Sequence, residues 1–179
     1  MANTQRTLSQ VLALLADNAT GDISAQDMRD AVLSLASDHA GMYISTSAAT
    51  TISTVDVWVD EGSTWTLSPD SHNFSEDTDG RLQYDGAASR HVHVTASASV
   101  TSSGNGKTYE IGIAKNGTVY TPSISQRKIV IGTEVGDVSV TAMIPMDTGD
   151  YLTLQVRNVT DDTNATITKA NIVAMGMIE

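Results

Sequence analysis

The 179-residue chain contains no cysteine. No disulfide can brace it and no thiolate can hold a metal, which leaves its redox compartment open. Aromatic side chains are scarce too, with one Phe, two Trp and five Tyr, so a core has to be assembled from Val, Ile, Leu, Ala and Met. Such a core is thin for a chain long enough to form one main domain with an appendage. Some apolar surface is therefore expected to be buried between copies. Cations are few: ten Lys and Arg against 21 Asp and Glu give a formal charge of −11. That field repels nucleic-acid backbones and anionic membranes, so neither is expected as a partner.

No basic start followed by an apolar core marks a signal peptide, and no apolar run nears the length of a membrane span. A soluble chain that is not exported by the usual route is expected, and the five N-x-S/T sequons at Asn18, Asn73, Asn116, Asn158 and Asn164 are read as chance products of a Thr-rich sequence. Catalytic signatures are missing as well. There is no Cys nucleophile, no G-x-S-x-G, no H-E-x-x-H and no P-loop, so neither an enzyme nor a bound cofactor is expected.

What is present is a pattern of strands and turns. Two strand-like runs, Lys107–Lys115 and Thr118–Ile124, flank Asn116-Gly117, a pair that favours the positive φ angles of a type I′ hairpin turn. Lys115 should pair with Thr118, Ile113 should face Tyr120, and Tyr109 should face Ile124. Tyr109, Ile111, Ile113, Tyr120 and Ile124 then share a buried face, and the small outward face of Glu110, Gly112 and Ala114 suits a neighbouring subunit. Ser89–Val100 alternates over its whole length, with Val92, Val94, Ala96, Ala98 and Val100 on one side. Further strands are expected at residues 55–60, 64–67, 81–84, 128–131, 138–144, 151–156 and 165–178. This many short strands indicate an antiparallel sandwich or barrel, a mainly β chain.

The N-terminus has a different period. Leu8, Val11, Leu12 and Leu15 form one helical stripe, and Met28, Val32 and Leu35 form a second, which opens at a capping box of Ser24 and Asp27. Helices this short are marginal alone, so both stripes must close on the domain, on each other or on another chain. Residues 1–42 are accordingly assigned as a helical anchor and residues 43–179 as the β domain.

Three groups of residues invite chemistry. His91 and His93 lie at i and i+2 of one strand and so share a face, but two imidazoles make only half a metal site; no metal is expected. Ser75-x-Asp77-x-Asp79-Gly80 partly mimics a calcium loop, yet the position of the closing Glu is Gly86, so an acidic surface loop is expected. Asp56, Asp60 and Glu61 are close enough in sequence for a glycosidase-like carboxylate pair, although only Trp58 and Trp65 are at hand to hold a sugar. Trp58 shares its face with Asp56 and Asp60, which suits an interface.

The segment Asn18–Val32 resembles the helical start of small structural proteins of tailed phages. Tyr84–Val94, the Ile113–Gly117 turn and Gly149–Asn158 are similar to strands of jelly-roll domains in phage head-decoration and fibre proteins, whose build is that of the tumour necrosis factor and C1q group. The resemblance implies a jelly roll that forms a homotrimer. It also implies attachment of the helical segment to the major capsid protein or another virion protein. A capsid decoration or cement protein on the virion surface, made in the bacterial host cytoplasm, is the function expected. A tail-fibre tip recognising a host glycan is the alternative.

Overall fold

The structure is a computed structural model that describes residues 9–11, 13, 24–34, 38–78 and 80–177. Ser9, Gln10, Val11 and Ala13 are helical. Helix α1 (Ala25–Ser34) begins at the expected capping box: the Asp27 amide donates to Ser24 Oγ at 3.1 Å, and the Ser24 amide donates to the Asp27 carboxylate at 2.9 Å. Both amides would otherwise go unpaired at the helix end.

The described strands are β1 (His39–Thr46), β2 (Ala49–Thr50), β3 (Val59–Asp60), β4 (Thr64–Leu67), β5 (Phe74–Glu76), β6 (Leu82–Tyr84), β7 (Arg90–Ser102), β8 (Lys107–Lys115), β9 (Thr118–Val119), β10 (Ser125–Ile129), β11 (Gly136–Met146), β12 (Tyr151–Asn158) and β13 (Ala165–Gly176). Every pairing between them is antiparallel. Sheet I has the order β11-β7-β13-β1-β4, with β2 on β13; sheet II has the order β10-β8-β12-β6-β5, with β3 on β12 and β9 on β8. The chain is thus the mainly β sandwich its alternation predicts.

The core lies between the two sheets. Val92, Val94 and Val100 from β7, with Ile167, Ile172 and Ala174 from β13, meet Tyr109, Ile111 and Ile113 from β8 and Leu152, Leu154 and Val156 from β12. Few of these are aromatic, so close fit of branched aliphatics carries the packing.

The Asn116-Gly117 turn forms as expected, with φ of 51° and 78° and Lys115 opposite Thr118. The expected pairing survives one step more, where the Tyr120 amide donates to the Ile113 carbonyl at 2.8 Å. Then Thr121–Ser123 coil into a 3₁₀ turn with Pro122 at its start, where a missing N–H does no harm. Pairing resumes in β10 with Tyr109 opposite Arg127, not Ile124. Ser123 bridges the gap: its Oγ accepts from the Ile113 amide at 2.9 Å and donates to the Tyr120 carbonyl at 2.7 Å. Ser123→Ala should therefore strand a buried amide and lower stability by about 1–3 kcal/mol, read as a shift in the urea midpoint. A midpoint unchanged from wild type would contradict this role.

Four other expectations are corrected. The outward side of the hairpin is covered by its own chain, since Gly112 and Ala114 are buried and a Cβ added at Gly112 would stand 2.8 Å from Val119 Cγ1. The strand expected at 55–60 is only Val59–Asp60, because Asp56 takes a φ of 64° and turns the chain. In the other direction, β1 extends from His39, so it includes residues 39–42, and β5 occupies what reads as a polar loop.

Candidate interaction site

The apolar stripes of the N-terminal segment divide. Leu8, Leu12, Leu15 and Leu35 lie outside the described residues. Val11 is buried, whereas Met28 and Val32 are 50% and 64% exposed. Those two are one helical turn apart on α1 and form an apolar ridge; Asp30, on the opposite side, and Ala31, beside the ridge, are buried.

A second apolar surface lies on the outer face of sheet I. The strand registers place Met143, His93, Met175 and His39 in one row across β11, β7, β13 and β1, and Thr141, Thr95, Val173 and Gly41 in the next. Met143, Val173, Met175 and Met177 are exposed, as is Tyr43 one row further on. At the opposite end the same face turns polar: Ser97, Ser99, Ser139, Asp137, Lys169 and Asn171 line a shallow groove of about 410 Å³. Within it Ser99 donates to Asp137 at 2.8 Å. A third exposed apolar group sits in the β10–β11 loop, where Val130, Ile131 and Val135 project outward. That loop is held firmly, with Gly132 N donating to Asn105 at 2.7 Å and Val130 N to Glu134 at 3.0 Å.

His91 and His93 share the outer face of sheet I as their spacing requires, and His93 Nε2 lies 3.2 Å from Thr141 Oγ1. Among the described residues no three His, Asp or Glu side chains converge as a metal site would need. The calcium-like run begins inside strand β5, where Ser75 is paired with Gln83 in the β5–β6 ladder; Asp77 follows in a bend, and Asp79 lies outside the described residues.

The neighbouring carboxylates are dispersed in the same way. Asp56 pairs with Arg157 at 2.9 Å, and Asp60 accepts from Thr153 and Gln155 at 3.0 and 2.9 Å. Glu61 turns inward, where it accepts from Ser63 Oγ at 2.6 Å, the Ser63 amide at 3.0 Å and Trp65 Nε1 at 3.1 Å. Burial pushes the Glu61 carboxyl above the usual carboxylate range, and these hydrogen bonds offset only part of the rise. Trp58 is half-buried with the Arg157 guanidinium 4.7 Å from its ring centroid, a cation–π contact within the chain.

One polar cluster was not legible beforehand. At the end of the core Arg90 Nε lies 3.4 Å from the Asp38 carboxylate, both side chains nearly inaccessible. Tyr84 Oη and Asn73 Nδ2 each lie 2.7 Å from that carboxylate as donors. Burial, and after it the Asp38 charge, pushes the Tyr84 hydroxyl well above its ordinary pKa. The members are far apart in sequence, and the only early sign is an Arg at an inward position of the β7 alternation.

Two antiparallel sheets in this strand order form a jelly-roll sandwich. Neither a family model nor a curated protein matches the sequence. Among solved structures, murine APRIL in a crystal structure at pH 5.0 matches 78% of this chain over 100% of its own length, with a TM-score of 0.52 and 7% identity. The fold of this chain is thus similar to that of APRIL. Also similar are Eiger TNF from S. frugiperda (TM-score 0.48, 14% identity, 79% of this chain and 92% of that one) and PRD1 vertex protein P5 (TM-score 0.48, 11% identity, 79% and 97%).

Proposed function

We propose that the chain is a virion structural protein of a tailed phage, a capsid decoration or cement protein that acts as a homotrimer and holds to the shell by its N-terminal segment. The observation that carries this reading is the α1 ridge. Met28 and Val32 spend a capped helix on an apolar surface that their own chain leaves uncovered, and a patch of that kind marks a partner. The major capsid protein is that partner. The exposed apolar half of sheet I, with Tyr43, Val173 and Met143, is the surface on which copies pack, in keeping with a core too thin for the chain. Repetition of one modest contact at each copy on a lattice gives avidity without a large interface.

Deletion of residues 1–36 is expected to leave a soluble trimer by light scattering that no longer decorates capsids in a co-sedimentation assay. Met28→Asp with Val32→Asp in the full chain should do the same with less disturbance. Capsid binding by these variants at wild-type level would overturn the anchor, and a monomer mass for the full chain at micromolar concentration would overturn the trimer.

A further inference from the structure

His93 stands between two methionines. Met143 of β11 is directly opposite it on one side and Met175 of β13 on the other, and cross-strand partners of this kind have Cβ atoms about 4.5–5.5 Å apart. All three point to the outer face of sheet I, the methionines exposed and the imidazole half-buried between them. Met42 and Met146, by contrast, are in the core, where methionine ordinarily serves as a gap filler.

The ring is anchored by a hydroxyl. Thr141 Oγ1 lies 3.1 Å from the Val94 carbonyl, which can only accept, and 3.2 Å from His93 Nε2. With the hydroxyl proton on that carbonyl, Nε2 carries the proton of the neutral ring and Nδ1 keeps its lone pair. A hydrogen bond from the far nitrogen is the arrangement that orients metal-binding imidazoles. Met177 and His91 lie one step further along the same face, joined through the Met177 amide and the His91 carbonyl at 2.8 Å.

Two thioether sulfurs and one imidazole nitrogen form a soft donor set. Zinc and calcium call for harder or charged ligands, whereas thioethers select copper(I). We propose that His93, Met143 and Met175 bind a soft monovalent cation, copper(I) in the cell, with Thr141 positioning the imidazole. The site stands on sheet register and hydrogen bonding and does not depend on the capsid role. Because it lies in the face through which copies are proposed to pack, a bound ion would place one positive charge per subunit at that contact.

The test uses the full-length chain labelled at its methionine methyl groups and titrated with silver(I), a redox-inert probe, with copper(I) added anaerobically in competition with a chromophoric chelator. The Met143 and Met175 methyl resonances should shift together and saturate at one ion per chain, while those of Met42 and Met146 stay in place. Met143→Leu and Met175→Leu, which conserve volume, should each weaken binding, and His93→Ala should abolish it. Thr141→Val should weaken it about tenfold, with recovery in Thr141→Ser. Unshifted Met143 and Met175 methyls, equal shifts at every methionine, or unchanged affinity in His93→Ala would each overturn the site. Light scattering reports the trimer separately. A chain without silver binding leaves the capsid role standing, and a monomer that binds silver removes the trimer but leaves the site.

Discussion

Asp38→Ala should cost about 3–5 kcal/mol of folding stability, the range for breaking a buried ion pair from one side. The reason is what remains behind. Arg90 is buried, its Nε faces the Asp38 carboxylate, and its two Nη atoms have no hydrogen-bond partner. Without Asp38 a full guanidinium charge stays in the core without the one carboxylate paired with it among the described residues, and the Tyr84 hydroxyl and the Asn73 amide lose the acceptor they share. Removing both charges in Asp38→Ala with Arg90→Met should be milder than Asp38→Ala alone, because apolar replacement of a whole buried pair is close to neutral in many proteins. Urea unfolding of wild type, single and double variants measures this. A double variant less stable than Asp38→Ala would refute the account.

Glu61 offers a second large effect with a pH signature. Glu61→Ala removes the Oε2 acceptor to which the buried Ser63 amide and the Trp65 indole N–H are now bonded, and should cost about 1–3 kcal/mol. Glu61→Gln should be nearly neutral. The amide oxygen can take the Oε2 role, and the amide nitrogen would face the Ser63 and Thr50 hydroxyls now at Oε1, which can reverse to accept. The pH dependence follows from the raised carboxyl pKa. A group whose folded pKa lies above its unfolded value adds stability that is complete below the unfolded pKa and is lost as pH rises through the folded one. Wild type should therefore lose ground to Glu61→Gln as pH climbs from the acid side of the carboxylate range toward neutral. Unfolding midpoints of the two proteins that stay parallel across that span would show that Glu61 is not strained in its pocket.

The elements that could be read from the chain are those whose signal is local. The β7 alternation, the Asn116-Gly117 turn and the Ser24 capping box each state their own geometry within a few residues, and each forms. Misreadings arise where a distant partner decides. Val55 and Val57 alternate as a strand should, yet the Asp56 amide donates to the Asn158 carbonyl at 2.8 Å and the chain turns there. Strand β1 is hard to read because Gly41 and Ser45 carry little strand propensity; pairing with β13 and β4 on its two sides makes it a strand. The Asp38, Tyr84 and Arg90 cluster exists only once both sheets have formed. Of the anchor residues, Met28 and Val32 are exposed and Val11 is buried. The Met143, His93 and Met175 row needs the register of three strands, and His93 alone was visible beforehand.

The pairing of β1 with β13 also bears on how the protein comes into being. Residues 39–43 lie beside residues 171–175, so β1 must wait for β13, and for the strands made between them, before its ladder can close. Sheet I therefore cannot assemble strand by strand in the order of synthesis. Contacts this distant in sequence make for slow folding, and in the interval the apolar edges of β1 and β7 lie open to association with other nascent chains. Yield of folded protein should therefore respond to translation rate and chaperone supply more than that of a chain with local topology.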